Sequence, residues 1–318
     1  MSAHHGHRHG SDPSADQRWL LAALGLVVVF MVVEVTAGIL AHSTALIADA
    51  GHMLTDAAAL LLAVIAARLA VRPARGAYTY GFARVDALAG QANGITLLLL
   101  ALWFAVQGIA HLIRPAGVHG STVAVVAAIG ALVNVVATLL AGRADRSSLN
   151  VRGVMAHLVS DVWAFGATFV AGLVVVATGW TRADAVATLL VAALMAWTGS
   201  TLVRDAGRVF LEAAPAGLDP QEVGGRLAQT AGVAEVHDLH VWTLSGQDTA
   251  LSAHVLVHPS YDCHQVASGL RAELGTVYGI GHVTLQVDHA EAGTHLTEEC
   301  TDAHGAVHVA PSDGPRVS

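Results

Sequence analysis

The chain has 318 residues, 13% of them charged, and a mean hydropathy of +0.57. Soluble domains carry about 25% charged residues, so the composition excludes a wholly soluble protein and predicts a polytopic membrane protein with a soluble part. The net charge of −8 is unevenly spread, because residues 1–211 hold 13 Arg and 10 acidic residues (+3) and residues 212–318 hold 3 Arg and 14 (−11). This acidic C-terminal part disfavours nucleic acid as a partner and attracts cations.

A polar, His-rich segment over residues 1–18 is predicted to be a disordered cytoplasmic tail. Six apolar segments follow, each near the roughly 20 residues that a helix needs to cross a lipid bilayer. They are residues 19–40, 44–70, 85–113, 121–141, 153–178 and 182–204. We therefore expect an all-α transmembrane domain of six helices over residues 19–208. Arg residues concentrate before the first helix, in the even-numbered loops and after the sixth, which places both termini in the cytoplasm by the positive-inside rule.

The pattern changes after Phe210. Amphipathic helices are predicted at 218–232 and 261–277, and alternating strands at 236–244, 249–257 and 282–289. This α-β-β-α-β order predicts a small α+β domain, ferredoxin-like or metallochaperone-like, over residues 209–290, with both helices on one face of an open sheet. Residues 291–318 are predicted to form a disordered tail.

Two histidines and two aspartates lie inside apolar segments: His52 and Asp56 in the second, His157 and Asp161 in the fifth. Each pair is spaced i, i+4, so both side chains share one helix face. A carboxylate at the bilayer centre costs roughly 2.5–3.5 kcal/mol on insertion scales, and a partner must offset this cost. Two imidazoles and two carboxylates form a net-neutral tetrahedral donor set for Zn²⁺. The pattern predicts an intramembrane metal site; the alternative is that these groups hydrogen-bond only one another or the backbone.

The sequence around this tetrad resembles the cation diffusion facilitator family. The resemblance is carried by residues 43–56, 80–86, 148–161, 238–242 and 251–255, and it is nearest to the bacterial zinc or cobalt-zinc-cadmium exporters. It implies a homodimer that exchanges metal ions for protons, with His52, Asp56, His157 and Asp161 as transport ligands. A histidine at position 52 favours zinc in that family, and cadmium and cobalt stay open as substrates.

The resemblance also implies a regulatory metal site in the cytoplasmic domain. His237, His254 and Asp288 match its ligand positions, whereas Gln286 replaces the usual histidine. His282 shares a strand face with Gln286 by period-two spacing and is the candidate replacement. The alternative is that these are surface or capping histidines.

Three further residues have predicted accessory roles. Asp49 precedes His52 by about one helical turn, where it either caps the second helix or steers cations inward, and the cap is favoured. By resemblance, Arg84 and Glu212 form a charge interlock between the third and sixth helices near the cytoplasmic domain. The alternative is two unrelated surface charges.

Two loop and tail features complete the predicted metal chemistry. Tyr78 and Phe82 stand where the family sometimes carries a His-rich loop site, so that site is predicted to be absent. The N-terminal tail is expected to gather Zn²⁺ weakly through His4, His5, His7 and His9.

The predicted function is export of Zn²⁺, with Cd²⁺ and Co²⁺ open, from the cytoplasm across the inner membrane in exchange for protons. Metal ligands must be deprotonated and imidazole titrates at about pH 6.5, so a site that opens to a more acidic outside exchanges metal for protons. An intramembrane zinc hydrolase needs a His-Glu-x-x-His motif, which the sequence lacks. A phosphate-binding Gly-x-x-x-x-Gly-Lys loop cannot occur without Lys, so no nucleotide is expected. A membrane metal sensor without transport remains the alternative.

Overall fold

The computed structural model describes residues 13–40, 44–70, 72–114, 120–144, 149–180, 182–245, 248–290 and 305–309. The chain divides into two compact units, residues 1–207 and residues 208–318. Of the tail predicted over 1–18, residues 1–12 lie outside the described residues, and residues 13–18 belong to the first helix. His4, His5, His7 and His9 are therefore outside them too.

The first unit contains six long helices in the described residues. Helices α1 to α6 span Pro13–Leu40, Thr44–Ala70, Val85–Ile113, Gly120–Ala141, Leu149–Thr178 and Arg182–Phe210. They overlap the six predicted segments, but α1 begins at Pro13 rather than at residue 19. A proline suits the first turn of a helix because its fixed φ is already helical. Helix α6 continues past residue 204 to Phe210. An apolar pattern marks the part of a helix that suits lipid, but it does not mark where the helix ends.

Four stretches in the described residues are long and apolar enough to cross a membrane. They are Val85–Ile113, Ala124–Ala141, Val151–Thr178 and Ala185–Phe210. The apolar stretch of α1, Arg18–Val33, is shorter, and α2 is not among the four. The structure thus has a helical membrane region, and the count of six spans stays a prediction.

Glycines bring α3 and α6 close together. A Cβ atom added at Gly199 would lie 2.9 Å from the carbonyl oxygen of Gly94, and one added at Gly94 would lie 3.0 Å from Leu202 Cβ. Small residues allow such close backbone approach, which favours association of helices in lipid, where the hydrophobic effect does not drive them together.

Helices α1, α2, α4 and α5 share a buried apolar cluster. Leu20, Leu60, Ala137 and Leu158 are fully or almost fully buried in it, one from each helix. Arg143, just after α4, lies over the Trp19 ring of α1 with its guanidinium carbon 4.6 Å from the ring centre, a cation–π contact. This packing sets α2 beside α5, the two helices that carry the polar tetrad.

The second unit is a small mixed sheet with two helices. Helix α7, strands β1 and β2, helix α8 and strand β3 follow in the predicted order at Pro220–Ala228, Val233–Ser245, Asp248–Val257, Cys263–Val277 and His282–His289. Asp219 and Asp262 start the two helices by accepting hydrogen bonds from backbone N–H groups of the first turn. Strand β2 is antiparallel to β1 and parallel to β3.

A fourth strand corrects the prediction of a tail without structure over 291–318. Strand β4, His308–Val309, pairs antiparallel with Glu235 and Val236 on the outer edge of β1. The His308 ring lies so close to Gly224 of α7 that any side chain there would collide with it. Two residues are too short to show an alternating pattern, which is why this strand is not visible in the sequence.

The two helices cover one face of the sheet. Their buried side chains pack with those of the strands in one cluster that includes Val223, Leu227, Val236, Leu251, Val255, Leu270 and Leu274. Because side chains alternate along a strand, His254 and Gln286 lie on the opposite face. A bulge after His237, where Asp238 has a φ of 50°, shifts the alternation along β1.

Candidate metal centre

Helices α2 and α5 bring three of the four predicted transport ligands together. His157 Nε2 lies 2.7 Å from Asp56 Oδ1 and 3.7 Å from Asp161 Oδ2. One donor atom from each residue lies within 4.8 Å of the other two. Among the described residues this is the one group of three or more His, Cys, Asp or Glu side chains with such spacing.

His52 belongs to α2, one turn before Asp56, but its side chain lies outside the described residues. The same holds for the side chain of Asp49. A helical spacing of four places residues 52 and 56 on one face of α2, and Asp56 turns that face toward α5. The fourth ligand therefore remains a prediction.

The apolar neighbours explain why α2 and α5 present these groups to each other. Met53 and Ala57 flank Asp56 on α2 and are buried in the same cluster as Val154 and Leu158 of α5. Lipid-facing positions are left to large apolar side chains, and the polar groups share the packed interface. Asp56 is 7% exposed and His157 is 2% exposed.

The charge balance of this trio favours a divalent cation. A carboxylate can only accept, so the short contact is an N–H of His157 donating to Asp56. The Oδ2 atom of Asp161 is buried and has no hydrogen-bond donor among the described residues. An unsatisfied buried carboxylate oxygen is costly, and a cation held by Asp56, His157 and Asp161 would relieve that cost. Nitrogen and carboxylate donors of this kind are ligands that Zn²⁺ prefers.

An ion pair that the sequence did not reveal lies away from this trio. Arg152, near the start of α5, donates to Asp205, near the end of α6, with 2.8 Å between Nη2 and Oδ2. The two residues are 53 positions apart, and no local spacing links them.

The predicted interlock between Arg84 and Glu212 stays a prediction. Arg84 immediately precedes α3 in the first unit, and Glu212 follows α6 in the second. Glu212 has a positive φ of 55°, a strained backbone position for a residue with a side chain. In the loop before α3, Tyr78 and Phe82 stack with ring centres 4.7 Å apart.

The face of the sheet opposite α7 and α8 gathers three of the four predicted regulatory ligands. His237 and His254 are direct cross-strand partners, with ring centres 4.5 Å apart. His254 donates from Nε2 to Asp288 Oδ2 at 2.8 Å, and Gln286 donates to the same oxygen at 3.0 Å. These two hydrogen bonds hold the pKa of Asp288 below its ordinary value, and the bond from Gln286 has the larger effect.

His282 does not join this group. It pairs with Ala250 at the start of β3, whereas Gln286 pairs with His254. Four residues of strand separate the two positions by about 13 Å, so His282 shares the face of Gln286 but cannot take its place. Glu235 was overlooked: its Oε1 lies 3.0 Å from His237 Nδ1. Its period-two spacing from His237 was the signal that could have found it.

The comparisons with known proteins agree with this architecture. Residues 20–211 match the cation efflux transmembrane domain, and residues 215–290 match the cytoplasmic domain of cation efflux proteins. The chain therefore belongs to the cation efflux family, whose members transport metal cations and are not enzymes. The expected resemblance to zinc and cobalt-zinc-cadmium exporters is confirmed.

Three relatives place the chain within that family. It is 34% identical to the zinc transporter ZitB of Escherichia coli over 90% of this chain and 92% of that protein. It is 32% identical to the cadmium, cobalt and zinc/H(+)-K(+) antiporter of Bacillus velezensis over 90% and 92%. The third, the metal cation efflux system protein CzcD of Cupriavidus metallidurans, is 31% identical over 93% and 95%.

Proposed function

We propose that this protein is a proton-coupled antiporter that exports Zn²⁺, and also Cd²⁺ and Co²⁺, from the cytoplasm across the inner membrane. The observation that carries the proposal is the buried cluster of Asp56, His157 and Asp161 between two helices of the membrane unit. The names of the relatives, which include a zinc transporter and a cadmium, cobalt and zinc antiporter, support the choice of ions.

In this proposal His52 supplies the fourth donor. A tetrahedral set of two imidazoles and two carboxylates matches the ligand number that Zn²⁺ adopts in proteins. The bundle then alternates between an inward-open and an outward-open state, as transporters with a site near the midplane do.

Proton coupling follows from the chemistry of the ligands. A histidine or carboxylate must lose its proton to bind a metal ion, so metal and protons compete for the same atoms. Protons arriving from a more acidic outside displace the ion, and the protonated site returns inward. A proton concentration that is higher outside than in the cytoplasm therefore drives export of the metal ion.

The same proposal includes a homodimer with both termini in the cytoplasm. The distribution of Arg residues supports this orientation, and the family of the second unit is named as a dimer domain. On the sheet face opposite the two helices, His237, His254 and Asp288 would hold a regulatory Zn²⁺. The buried rings of the two histidines beside a carboxylate support that assignment.

The test is metal flux into inside-out proteoliposomes that contain the purified full-length chain. Zn²⁺ uptake is expected to rise when the lumen is made acidic, and His157→Ala is expected to abolish uptake because it removes the central donor. His111→Ala is the matched control, since this exposed histidine lies on α3 outside the trio. Zinc flux that ignores a pH gradient would overturn the coupling.

The metal sensor makes the opposite prediction. A sensor would bind Zn²⁺ through its second unit and carry no flux, so the wild-type protein would leave the vesicle lumen free of metal. It would also keep its metal response after His52→Ala, whereas a transporter would lose metal resistance in cells.

A further inference from the structure

One close contact fixes the register between α4 and α5. A short connection, residues 142–148, joins the two helices into an antiparallel hairpin. A Cβ atom added at Gly130 would collide with the ring of Phe165, so the Phe165 side chain packs directly on the backbone of Gly130. Toward the connection, Ala137 and Leu158 lie in one buried cluster, as the same register requires.

This contact sets Asn134 near the level of the turn of α5 that carries His157 and Asp161, because the side chain of Phe165 leans toward the N-terminus of its helix. Asn134 is four residues after Gly130, and Asp161 is four residues before Phe165, so each is one turn from the contact and on the same helix face. Antiparallel helices run in opposite directions, and these two steps therefore lead the same way along the hairpin, toward the connection. Asn134 thus lies at the level of the metal centre, on a helix that contributes none of the four predicted ligands.

The hydrogen bonds of Asn134 leave its amide oxygen as an open acceptor. The side chain is buried, at 1% exposure, and its Nδ2 donates to the carbonyl oxygen of Gly130 at 3.2 Å. A carbonyl can only accept, so the nitrogen must be the atom that faces it. The Oδ1 atom has no hydrogen-bond partner among the described residues.

Two open acceptors at one level point to a cation. Asp161 Oδ2 also lacks a hydrogen-bond donor, and two acceptors cannot satisfy each other. Leaving a buried acceptor unpaired destabilises the fold. A positive ion is the species that relieves both oxygens at once.

We propose that the Asn134 amide oxygen is a fifth, neutral donor to the transported ion and thereby sets its selectivity. This inference rests on the proposed transport function. Zn²⁺ is satisfied by four ligands, whereas a larger divalent ion such as Cd²⁺ readily accepts more donors. Asn134 therefore matters most for the larger ion, and it adds no charge that would have to be balanced in lipid.

The experiment compares the KM for Cd²⁺ and for Zn²⁺ in proteoliposomes that contain the full chain. Asn134→Ala is expected to raise the KM for Cd²⁺ about tenfold and that for Zn²⁺ about twofold, in the range found for groups that support metal ligands. Asn134→Leu, of similar size, carries the same expectation should the alanine variant not be recovered folded. Asn134→Asp keeps an oxygen donor and is expected to retain the wild-type preference between the two ions.

Asn93→Ala is the matched control. Asn93 is also a buried asparagine of the membrane unit, but its unsatisfied atom is Nδ2, a donor that cannot bind a cation. It is expected to change both KM values by a common factor. Equal changes for both ions in Asn134→Ala, or a loss of preference in Asn134→Asp, would overturn the inference. Absence of flux in the wild type would instead overturn the proposed function.

Discussion

His157 lies between two carboxylates that are not equivalent. Asp56 accepts its N–H at 2.7 Å, while the Asp161 oxygen lies 3.7 Å away and has no hydrogen-bond donor among the described residues. The protein without metal is therefore stabilised by the hydrogen bond to Asp56, whereas Asp161 Oδ2 accepts no such bond among the described residues. In the proposed metal site the two residues share a role toward the cation, but they differ in what they contribute to the fold.

This difference predicts opposite effects of two matched substitutions on stability without metal. Asp56→Asn weakens a charge-assisted hydrogen bond, so unfolding should become easier by about 1–3 kcal/mol. Asp161→Asn removes a buried charge whose Oδ2 atom accepts no hydrogen bond among the described residues, so the protein without metal should be at least as stable as the wild type. Thermal unfolding in detergent with a chelator measures both.

Added Zn²⁺ provides the complementary measurement for the same pair. A ligand that binds only the folded state raises the unfolding temperature, and both variants should lose much of the rise that the wild type shows. A variant of Asp161 that unfolds well below the wild type with chelator present would contradict the assignment.

At the scale of elements, the hairpin of α4 and α5 depends on the missing side chain at Gly130. Gly130→Ala would place a methyl group on the Phe165 ring, and such overpacking costs about 1–3 kcal/mol. We expect a lower unfolding temperature and weaker Zn²⁺ transport, because the shift moves the face that carries Asp161.

Gly166→Ala is the control for that prediction. A Cβ atom there meets nothing within 4 Å, so this change in the middle of α5 should leave stability unchanged or slightly raised. Phe165→Leu combined with Gly130→Ala should restore stability, because the smaller side chain makes room for the methyl group. Failure of that double variant to recover would argue against the contact.

Strands β2 and β3 are joined by a hydrogen bond whose strength depends on pH. The pKa of Asp288 is lowered in the fold by Gln286 and His254, so its stabilising effect is complete above the ordinary value of about 3.8. This stabilisation is lost as the pH falls through the lower pKa that Asp288 has in the folded protein. The gap in unfolding midpoint between the wild type and Asp288→Asn should therefore close in acid.

Gln286→Leu tests the cause of that shift. Without the amide donor, the pKa of Asp288 should return toward its ordinary value, and the gap should close at a higher pH. Gln265→Leu, an exposed position on α8, should leave the profile unchanged. A difference in unfolding midpoint between the wild type and Asp288→Asn that persists unchanged to a pH well below the ordinary pKa of an aspartate would contradict the prediction.

The elements that were predicted well are those with a strong local pattern. Helix α3 and strand β3 have the predicted bounds, since a change of composition marks their ends. The grouping of Asp56, His157 and Asp161 is predictable because carboxylates and histidines are rare in apolar helices. His282 was misplaced because period-two spacing fixes a face but not a distance. The level of Asn134 and the pair Arg152–Asp205 depend on packing between helices, which one-dimensional spacing does not contain.

At the scale of the whole molecule, the predicted charge interlock would join Arg84, just before α3, to Glu212, just after α6. Arg84→Glu or Glu212→Arg alone should reduce Zn²⁺ flux several-fold, since each creates a like-charge pair. The double reversal should restore most of it. Flux in proteoliposomes measures all three, and no recovery in the double variant would count against the interlock.

The short strand His308–Val309 has a practical consequence for anyone who trims the chain. Removing everything after Ala290 would leave the backbone of Glu235 and Val236 without its pairing to β4. An unpaired edge strand tends to pair with other molecules. It would also open the space that the His308 ring fills above Gly224. Aggregation of a truncated protein would thus result from the unpaired edge of β1 and not from a defect in metal transport.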